Sequence, residues 1–336
     1  MAKILVTGGA GYIGSHVVKQ LLGAGHAVVV LDNLSKGFAG AVSGGELVVG
    51  DTGDAALLDR LLQGSGVEAV MHFAAWTVVP ESVAEPYKYY ANNTFNAATL
   101  IERCARHGVK SFIFSSTAAT YGIPPSPRCD ESTPTAPINP YGWSKLMAEQ
   151  ILRDVCQARG MRHVILRYFN VAGSDPDGAI GQSTRDATLL IKVACEAALG
   201  MRECVEIFGT DLPTADGTGV RDYIHVHDLA SAHLRALDYL AAGGASRTLN
   251  CGYGHGFSVR EVLAVVERLH GAPFSIKESG RRAGDPPELV ADSSALRRLL
   301  AWQPRYDDLE AIVATTLAWQ RKLRDGLVQD GRANSA

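Results

Sequence analysis

Short runs of apolar residues alternate with longer amphipathic stretches along the first half of the chain. Continuous apolar runs of this kind are typical of strands that are buried on both faces of a parallel sheet. They predict strands at residues 3–7, 27–31, 47–49, 69–73, 111–116 and 163–167. Helical periodicity between the runs predicts helices near residues 11–24, 55–63, 84–107 and 141–159. Alternating strands and helices predict an α/β fold built on a doubly wound parallel sheet.

The second half of the chain has a different pattern, in which long loops separate shorter helices. The predicted loops are 173–187, 209–219 and 278–287, and the predicted helices lie near 185–199, 227–241, 258–270 and 307–324. We therefore predict a Rossmann-type domain at residues 1–168 and a smaller C-terminal α/β lobe at residues 169–336. Roughly residues 220–245 are predicted to pack back onto the first domain, and the tail after about residue 324 to be frayed.

Composition and charge narrow the class of protein. The chain has 336 residues, of which 20 % are charged and 46 % hydrophobic, as in an ordinary globular enzyme. The net charge of −3 offers no basic field for nucleic acid or an anionic membrane. Six scattered cysteines without a C-x-x-C pair are typical of reduced thiols, and predict a cytoplasmic protein without a zinc site. No apolar run reaches the length of a membrane span, so no membrane partner is expected.

The segment ILVTGGAGYIGSH combines a strand, a glycine turn and the start of a helix. Gly8, Gly11 and Gly14 form a G-x-x-G-x-x-G pattern, which lets backbone N–H groups approach a pyrophosphate at a helix N-terminus. Asp32 ends the second strand, where a carboxylate can accept both hydroxyls of an adenosine ribose and would repel a 2′-phosphate. These features predict NAD, and not NADP, as the cofactor. Asp51, after the third strand, could reach the adenine amine or could equally be a helix N-cap.

The segment YGWSK places Tyr141 and Lys145 four positions apart, so both side chains rise from one face of a helix. Thr117 lies at the end of a predicted strand whose tip faces the ligand crevice. An ammonium group beside a phenol favours the phenolate, which makes Tyr141 a candidate base. Thr117 would hold a substrate hydroxyl in line while Tyr141 takes its proton. An exposed Tyr–Lys helix pair is the commoner case for this spacing alone, but the glycine turn and Thr117 favour catalysis.

Together these residues resemble the extended short-chain dehydrogenase/reductase family, over nearly the whole chain from residue 3 to about residue 323. Several segments narrow the resemblance to the UDP-hexose 4-epimerases of that family. They are TGGAGYIGSH, LDNLS, MHFAA, FIFSSTAATYG, YGWSKLMAEQIL, LRYFNVAG, IFGTDLPTADGTGVRDYIHVHDLA and RRAGDPPELVAD. The segments of the second half are more specific than the Tyr–Lys pair, which many oxidoreductases share.

The resemblance implies which residues bind NAD and a UDP-sugar. The NAD contacts, with the glycine turn included, are Gly8, Gly11, Tyr12, Ile13, Gly14, Asp32, Asn33, Asp51, Thr52, Phe73, Ala74, Ala75, Asn92, Thr117, Tyr141, Lys145 and Phe169. The substrate contacts, most of them in the C-terminal lobe, are Thr117, Tyr141, Asn170, Leu190, Glu206, Ile207, Phe208, Arg221, Arg282, Asp285 and Leu289. Arg221 and Arg282 would clamp the substrate pyrophosphate, and Asp285 would bind the uridine ribose. Leu289 would gate the sugar. Surface ion pairs for the arginines and a core position for Phe208 are the alternatives.

The reaction that the resemblance implies involves no net oxidation. Tyr141 removes the proton of the sugar 4-hydroxyl group while C4 gives a hydride to NAD. The 4-keto sugar then turns about its pyrophosphate bonds, and hydride and proton return to its other face, which inverts C4. The implied reaction interconverts UDP-galactose and UDP-glucose, as in galactose metabolism.

Other activities share this fold. A sugar-nucleotide 4,6-dehydratase needs an acid–base pair directly after the strand-end threonine, where this chain has Ala118 and Ala119. A UDP-pentose 4-epimerase for xylose or arabinose fits the same residues, and a net NAD-dependent sugar-nucleotide oxidoreductase is a further alternative. A non-catalytic NAD-binding regulator is disfavoured by the intact Thr117, Tyr141 and Lys145.

Two positions depart from the family pattern. Thr77 stands where several relatives carry a lysine that reaches the cofactor, and Leu189 stands where the pattern usually has Asn or His. One NAD contact and one diphosphate contact are therefore expected to be missing or shifted. The resemblance also implies a homodimer, in which the predicted helices at 84–107 and 141–159 pair with their copies.

Overall fold

A computed structural model of the protein describes residues 1–184, 187–282 and 285–327. Its strands are β1 (Lys3–Thr7), β2 (Ala27–Asp32), β3 (Glu46–Val49), β4 (Val67–His72), β5 (Ser111–Thr117), β6 (Arg128–Cys129), β7 (Arg162–Tyr168), β8 (Asn170–Ala172), β9 (Val205–Phe208), β10 (Val220–Arg221), β11 (Tyr223–His225), β12 (Arg247–Cys251), β13 (Phe257–Ser258), β14 (Ile276–Ser279) and β15 (Glu288–Ala291). Its α-helices are α1 (Tyr12–Gly23), α2 (Ala55–Leu62), α3 (Val79–Ala84), α4 (Pro86–Tyr89), α5 (Ala97–Arg106), α6 (Pro140–Arg159), α7 (Leu190–Ala198), α8 (Val226–Ala241), α9 (Val259–His270), α10 (Ser294–Leu300) and α11 (Leu309–Arg324). Of the tail that was predicted to be frayed, residues 328–336 lie outside the described residues.

A parallel sheet forms the centre of the molecule. In the described residues it has seven strands, in the order β12-β7-β5-β4-β1-β2-β3. Every neighbouring pair is parallel. The predicted doubly wound α/β fold is confirmed, because β1 lies inside the sheet and later strands are added on both sides of it. The sequence analysis did not identify β12, since RTLNC contains no continuous apolar run and becomes a strand only by pairing with β7.

Alternation along β1 directs its side chains into two separate hydrophobic cores. Ile4 and Val6 belong to the core that α1 and α8 cover, whereas Leu5 belongs to the core that α2, α5 and α6 cover. All three side chains are fully buried. Burying one aliphatic side chain contributes about 1.5–3 kcal/mol. Because helices cover both faces, the carboxyl edge of the sheet is where loops and side chains can form a ligand site.

The helix predicted at 84–107 is interrupted in the structure. Helices α4 and α5 flank a π-helical turn at Tyr90–Asn96. Side chains of this turn bond to α6: Thr94 Oγ1 donates to the Ser144 carbonyl at 3.0 Å, and Asn93 Nδ2 donates to Ser144 Oγ at 3.1 Å. Widened turns of this kind occur mostly at functional sites. Propensity alone predicts one continuous helix here, because the bonds that favour the wider turn come from a distant segment.

The second half of the chain contributes both to the central sheet and to smaller sheets. Helix α8 packs against α1, and β12 extends the central sheet. The smaller sheets have the orders β13-β10-β15-β6, β11-β8 and β14-β9. Helix α7 begins at Leu190, five residues after the predicted start, and residues 185 and 186 lie outside the described residues. The two-domain division at residue 168 stays a prediction.

Three global features bear on the class of protein. No helix in the described ranges is long and apolar enough to cross a membrane. The same residues contain no group of His, Cys, Asp and Glu side chains that could hold a metal ion. All six cysteines are free thiols.

Candidate active site

The glycine turn after β1 packs closely against the backbone of the loop after β4 and against the start of α1. Gly8 has φ +73°, and a Cβ there would lie 2.5 Å from the Ala74 backbone nitrogen. A Cβ on Gly14 would lie 2.2 Å from the Gly8 carbonyl oxygen. Gly11 caps α1 without a side-chain hydrogen bond, and the first turn holds no acidic residue. The first N–H groups of the helix, those of Tyr12 and Ile13 included, are therefore available to an anion such as a pyrophosphate.

Asp32 is held in place at the tip of β2. Its two carboxylate oxygens accept the backbone N–H groups of Ala10 at 2.9 Å and Leu34 at 2.8 Å. Burial raises the pKa of Asp32 above its usual value, while the two backbone bonds act in the opposite direction. Leu34 adopts φ 58°, a left-handed conformation that is rare outside glycine. A buried carboxylate with a fixed orientation fits the role predicted for Asp32, which is to bind ribose hydroxyls and to exclude a 2′-phosphate.

Asp51 does not cap a helix, so that alternative interpretation was wrong. The N-cap of α2 is Asp54, whose side chain accepts the Leu57 N–H at 3.0 Å. Asp51 instead accepts hydrogen bonds from Asn33 Nδ2 at 3.0 Å and from Asn96 Nδ2 at 2.8 Å. It thereby ties the loop after β2 to the loop after β3 and to the π-helical turn.

These loops line an open cleft at the carboxyl edge of the sheet, with about 540 Å³ of free space that includes open solvent at its mouth. It is lined by predicted NAD-binding residues, namely Gly8, Gly11, Asp32, Asn33, Asp51, Thr52, Phe73, Ala74, Ala75 and Asn92. Further lining residues, which the sequence analysis missed, are Leu31, Ser35, Lys36, Gly37, Gly50 and Trp76. Lys36 directly follows the quoted segment LDNLS, and Trp76 directly follows the predicted contact Ala75. Their positions next to predicted NAD contacts could have identified both as residues of the cleft.

Thr117, Tyr141 and Lys145 come together beside this edge. Thr117 is the last residue of β5, and α6 begins at Pro140 behind an Asn139 N-cap. All three functional side chains are buried, with exposures of 8 %, 8 % and 3 %. The Thr117 hydroxyl accepts the Ala119 backbone N–H at 3.1 Å and lies near the Tyr141 phenol, and Lys145 Nζ donates to the Ser115 carbonyl at 2.8 Å. An exposed Tyr–Lys helix pair is thereby ruled out.

Burial shapes the electrostatics of this group. Burial raises the pKa of Tyr141, and the hydrogen bond with Thr117 partly offsets that shift. Burial lowers the pKa of Lys145 to about 7, while the negative charge of Glu149 acts in the opposite direction. The ammonium form of Lys145 is therefore sensitive to any change in the charges around it at neutral pH.

A buried ion network behind Lys145 was missed by the sequence analysis. Glu149 is fully buried and accepts Ser116 Oγ at 2.5 Å. Its two carboxylate oxygens accept Arg167 Nε at 3.0 Å and Nη2 at 2.7 Å, and one of them also accepts Arg153 Nη2 at 2.7 Å. These bonds hold the pKa of Glu149 below its usual value against the effect of burial. The available signal was spacing, because Glu149 lies one turn after Lys145 on the same helix face.

The predicted sugar gate Leu289, the predicted NAD contact Phe169 and the predicted diphosphate contact Asn170 belong to a second group of residues. Phe169 and Leu289 pack with Ala118 in a small apolar cluster, and Ala118 directly follows Thr117. Leu289 on β15 is also the cross-strand partner of Arg221 on β10. Asn170 begins β8, where its backbone N–H donates to the Asp222 carbonyl at 3.0 Å. The structure thus brings the predicted gate close to both the catalytic strand and one predicted clamp.

The predicted uridine-site residues differ in how they are presented. The Arg282 guanidinium lies over the Phe208 ring, with its central carbon 3.6 Å from the ring centroid. Arg221 Nη2 donates to Asp285 at 3.3 Å. Arg282 is exposed and Arg221 is partly exposed, so both have N–H donors that a ligand can reach. The bond to Asp285 is the kind of ion pair that the surface-pair alternative predicted for Arg221.

Three predicted substrate contacts have limited side-chain access. Ile207 is buried in the core with an exposure of 1 %, so only its backbone could face a base. The Glu206 carboxylate pairs with Lys277 at 2.9 Å. Leu190 begins α7 behind Leu189, which provides no side-chain cap. The missing cap agrees with the expectation that a leucine at position 189 offers no polar contact.

Comparisons with known proteins agree with this geometry. Residues 4–252 match the model of the NAD dependent epimerase/dehydratase family. The chain is 54 % identical over 330 residues to a UDP-glucose 4-epimerase of Azospirillum brasilense, covering 98 % of this chain and 95 % of that protein. A crystal structure of UDP-glucose 4-epimerase from Brucella ovis in complex with NAD superposes with a TM-score of 0.92 at 44 % identity, covering 95 % of this chain and 98 % of that one. The UDP-Glc/GlcNAc 4-epimerase of Campylobacter jejuni superposes with a TM-score of 0.85 at 50 % identity, covering 96 % and 100 %.

Proposed function

The chain belongs to the NAD dependent epimerase/dehydratase family, and from this premise we propose that Thr117, Tyr141 and Lys145 invert C4 of a UDP-hexose. The enzyme is an NAD-dependent 4-epimerase that interconverts UDP-galactose and UDP-glucose. The observation that carries the residue assignment is the burial of a threonine, a phenol and an ammonium group together at the carboxyl end of β5, on the same edge of the sheet as the cofactor cleft. Dehydration is disfavoured because Ala118 and Ala119, directly after Thr117, cannot exchange protons.

The residues of the cleft fit NAD. The close backbone approaches at Gly8 and Gly14, the uncapped start of α1 and the fixed Asp32 carboxylate suit a pyrophosphate and an adenosine ribose. When bound, NAD supplies a hydride acceptor for C4 and a positive charge that favours the phenolate form of a nearby tyrosine. Burial alone raises the pKa of Tyr141, so the ammonium of Lys145 has to act in the same direction as that positive charge.

Proton transfer in this proposal needs no residue beyond the group described. The Thr117 hydroxyl holds the sugar 4-hydroxyl group against Tyr141, which takes its proton. Lys145 stabilises the phenolate and keeps its own position through the Ser115 carbonyl. After the 4-keto sugar has rotated about its pyrophosphate bonds and presents its other face, the Tyr141 phenol returns the proton to the oxygen on C4. Because the sugar must rotate, the enzyme can bind it only loosely. The affinity for the substrate must therefore come from contacts with the UDP group.

Binding of UDP is assigned to Arg221, Arg282, Asp285 and Phe208. Guanidinium groups present a planar fork of donors that matches phosphate oxygens. Arg282 is already stacked on an aromatic ring, which fixes its plane and leaves its edges open to a diphosphate. Asn170 at the start of β8 would add a further contact to the diphosphate.

The function is tested by incubating purified protein with UDP-galactose and no added nucleotide. We expect UDP-glucose to form until the two sugars reach equilibrium, without accumulation of NADH. A net oxidoreductase would instead require added NAD and would accumulate NADH. Products derived from UDP-xylose or UDP-arabinose at higher kcat/KM than from UDP-galactose would favour the pentose alternative.

The size of the sugar pocket is predicted to depend on Leu289. The 2-acetamido group of UDP-N-acetylglucosamine adds several heavy atoms next to the cluster of Leu289, Phe169 and Ala118. Overpacking typically costs about 1–3 kcal/mol, or roughly 5- to 150-fold in rate. We therefore expect strong activity on UDP-glucose and UDP-galactose, weak activity on UDP-N-acetylglucosamine, and a higher ratio of the second to the first in Leu289→Ser. Measuring kcat/KM for both substrates in both proteins tests this.

Val290 provides a matched control for that variant. It is buried next to Leu289 on β15, but its side chain points to the other face of the strand, where it lies near Gly256. Val290→Ser should lower stability without changing the ratio of kcat/KM values. Equal wild-type efficiency on both sugars, or an unchanged ratio in Leu289→Ser, would show that Leu289 is not the gate. The relative from Campylobacter jejuni whose name includes both Glc and GlcNAc makes the measurement informative.

We also propose that two copies of the chain form a homodimer. Large apolar side chains are exposed along α3, α4, the π-helical turn and α6, including Val83 at 64 %, Tyr87 at 76 %, Phe95 at 58 % and Met147 at 42 %. Clustered exposed apolar side chains mark interaction surfaces. The molar mass of the purified protein in solution tests this assembly.

We propose a cytoplasmic location because the cysteines are free thiols. We propose a role in galactose metabolism because the assigned substrate is UDP-galactose.

A further inference from the structure

The cofactor cleft contains a lysine that the proposed mechanism does not use. Among the described residues that line the cleft, Lys36 is the only cationic one, whereas Asp32 and Asp51 are acidic. The pyrophosphate of a bound dinucleotide carries two negative charges at neutral pH, so the cleft otherwise opposes it with side chains of the same sign. The only other positive potential that the described lining offers is the N-terminus of α1.

Lys36 is exposed, but its side chain extends across the mouth of the cleft toward Trp76. Its ammonium lies 5.4 Å from the centroid of the Trp76 ring. Lys36 belongs to the loop after β2, and Trp76 to the loop after β4. In the central sheet β1 lies between these two strands. Because parallel strands end at one edge, the contact between Lys36 and Trp76 passes over the glycine turn that follows β1.

Trp76 is a fixed anchor for this contact. Its backbone N–H donates to Asn93 Oδ1 at 2.9 Å, and its carbonyl accepts from Asn93 Nδ2 at 2.9 Å. A second ammonium, that of Lys88, lies 3.8 Å from the same ring centroid and pairs with Glu81 at 2.7 Å. Two like charges at one indole ring repel each other. Lys36, which has no carboxylate partner among the described salt bridges, is therefore the one that an anion below the ring would attract.

We propose that Lys36 and Trp76 form a strap over the glycine turn, in which Lys36 pairs with the pyrophosphate of bound NAD and Trp76 positions the lysine. The inference rests on the NAD-dependent function proposed above. A charge-assisted bond to phosphate is stronger than an exposed cation–π contact, so Lys36 would move a short distance from the ring to the anion. The strap slows the loss of a cofactor that the enzyme must keep through every turnover.

The test measures retention of NAD by the purified holoprotein during dialysis, by denaturing samples over time and quantifying the released nucleotide. Lys36→Met is expected to lose NAD about tenfold faster than wild type at low ionic strength, the loss of one charge-assisted bond. The difference should shrink at about 1 M salt, where the Debye length is roughly 3 Å. Lys36→Arg keeps the charge and the cation–π contact, and should retain NAD nearly as wild type does.

Lys88→Met is the matched control. It removes the other ammonium from the same ring, but this ammonium is paired with Glu81, and neither Lys88 nor Glu81 is among the described residues that line the cleft. It should leave both the rate of NAD loss and its salt dependence within about twofold of wild type, as expected for an exposed ion pair. Equal NAD loss in Lys36→Met and wild type, or equal effects of Lys36→Met and Lys88→Met, would overturn the strap. Wild-type protein that carries no nicotinamide nucleotide would instead contradict the proposed function itself.

Discussion

Tyr141→Phe is expected to lower the rate of epimerisation by about 10²-fold or more, the usual contribution of a general acid–base group. Only a hydroxyl is removed, and the ring remains packed edge-on against Tyr89, with 6.3 Å between the ring centroids. Folding and NAD content should therefore remain close to those of wild type. The loss should appear in kcat more than in KM, because Tyr141 acts on the transferred proton and not on the UDP group.

The measurement follows conversion of UDP-galactose to UDP-glucose, with the NAD content of each preparation as the internal control. Thr117→Val is a useful companion, since it removes the hydroxyl that lies near the Tyr141 phenol and keeps the volume of the side chain. It should reduce the rate by less than Tyr141→Phe does. Activity of Tyr141→Phe within a factor of two of wild type would remove this residue from the mechanism.

Glu149→Gln is expected to destabilise the fold by about 3–5 kcal/mol, the cost of breaking a buried ion pair by removing one partner. The amide keeps the shape of the side chain, but Arg167, whose side chain is 5 % exposed, would lose its buried counter-charge. The amide also leaves one acceptor oxygen for the bonds from Ser116, Arg153 and Arg167 that two carboxylate oxygens now accept. A drop in the melting temperature of the holoprotein measures this effect.

The same variant should alter the pH dependence of catalysis. Burial lowers the pKa of Lys145 to about 7, and the charge of Glu149 raises it against that effect. Without this charge the pKa of Lys145 falls further, so its ammonium form is lost at lower pH. The groups that face Lys145 are the Ser115 carbonyl, the Phe114 ring, Glu149 and His72, whose own pKa the lysine lowers. The alkaline limb of the kcat profile is therefore expected to move to lower pH.

Arg153→Met separates the two roles of Glu149. Arg153 bonds the same carboxylate, but 31 % of its side chain is exposed, so its loss should cost no more than about 1 kcal/mol. It should leave the kcat profile close to that of wild type. If Glu149→Gln lowered the melting temperature without moving the profile, the network would be structural only. If it did neither, the network would not support the site.

The positions of the main strands and of most helices along the chain followed from the sequence, because the strands buried on both faces are continuous apolar runs. These runs and the helices between them predicted the positions of β1, β2, β5 and β7 within one or two residues. The glycine turn was predictable because only glycine allows the backbone approach that occurs at Gly8. Asp32 was predictable because it is the last residue of an apolar run that forms β2. The conformation of the glycine turn and of the end of β2 depends on local backbone geometry, which residues close in the sequence determine.

Other features depended on contacts between segments that are distant in the sequence. β12 became a strand by pairing with β7, and the π-helical turn at Tyr90–Asn96 depends on bonds to Trp76 and Ser144. The assignment of Asp54 as the N-cap, and of Asp51 as a tie between loops, could not be read from GDTGD alone.

The charges around the site show the same limit. Spacing placed Tyr141 and Lys145 on one helix face, but the pKa of each is shifted by burial, and α6 is buried by distant segments such as β5 and the π-helical turn. The strap between Lys36 and Trp76 joins loops 40 residues apart in the chain, and it exists only because the sheet places β1 between β2 and β4. The sequence by itself thus determined the fold class and the chemical groups. The tertiary structure decided their charge states and their partners, because both depend on which distant segments exclude water from them.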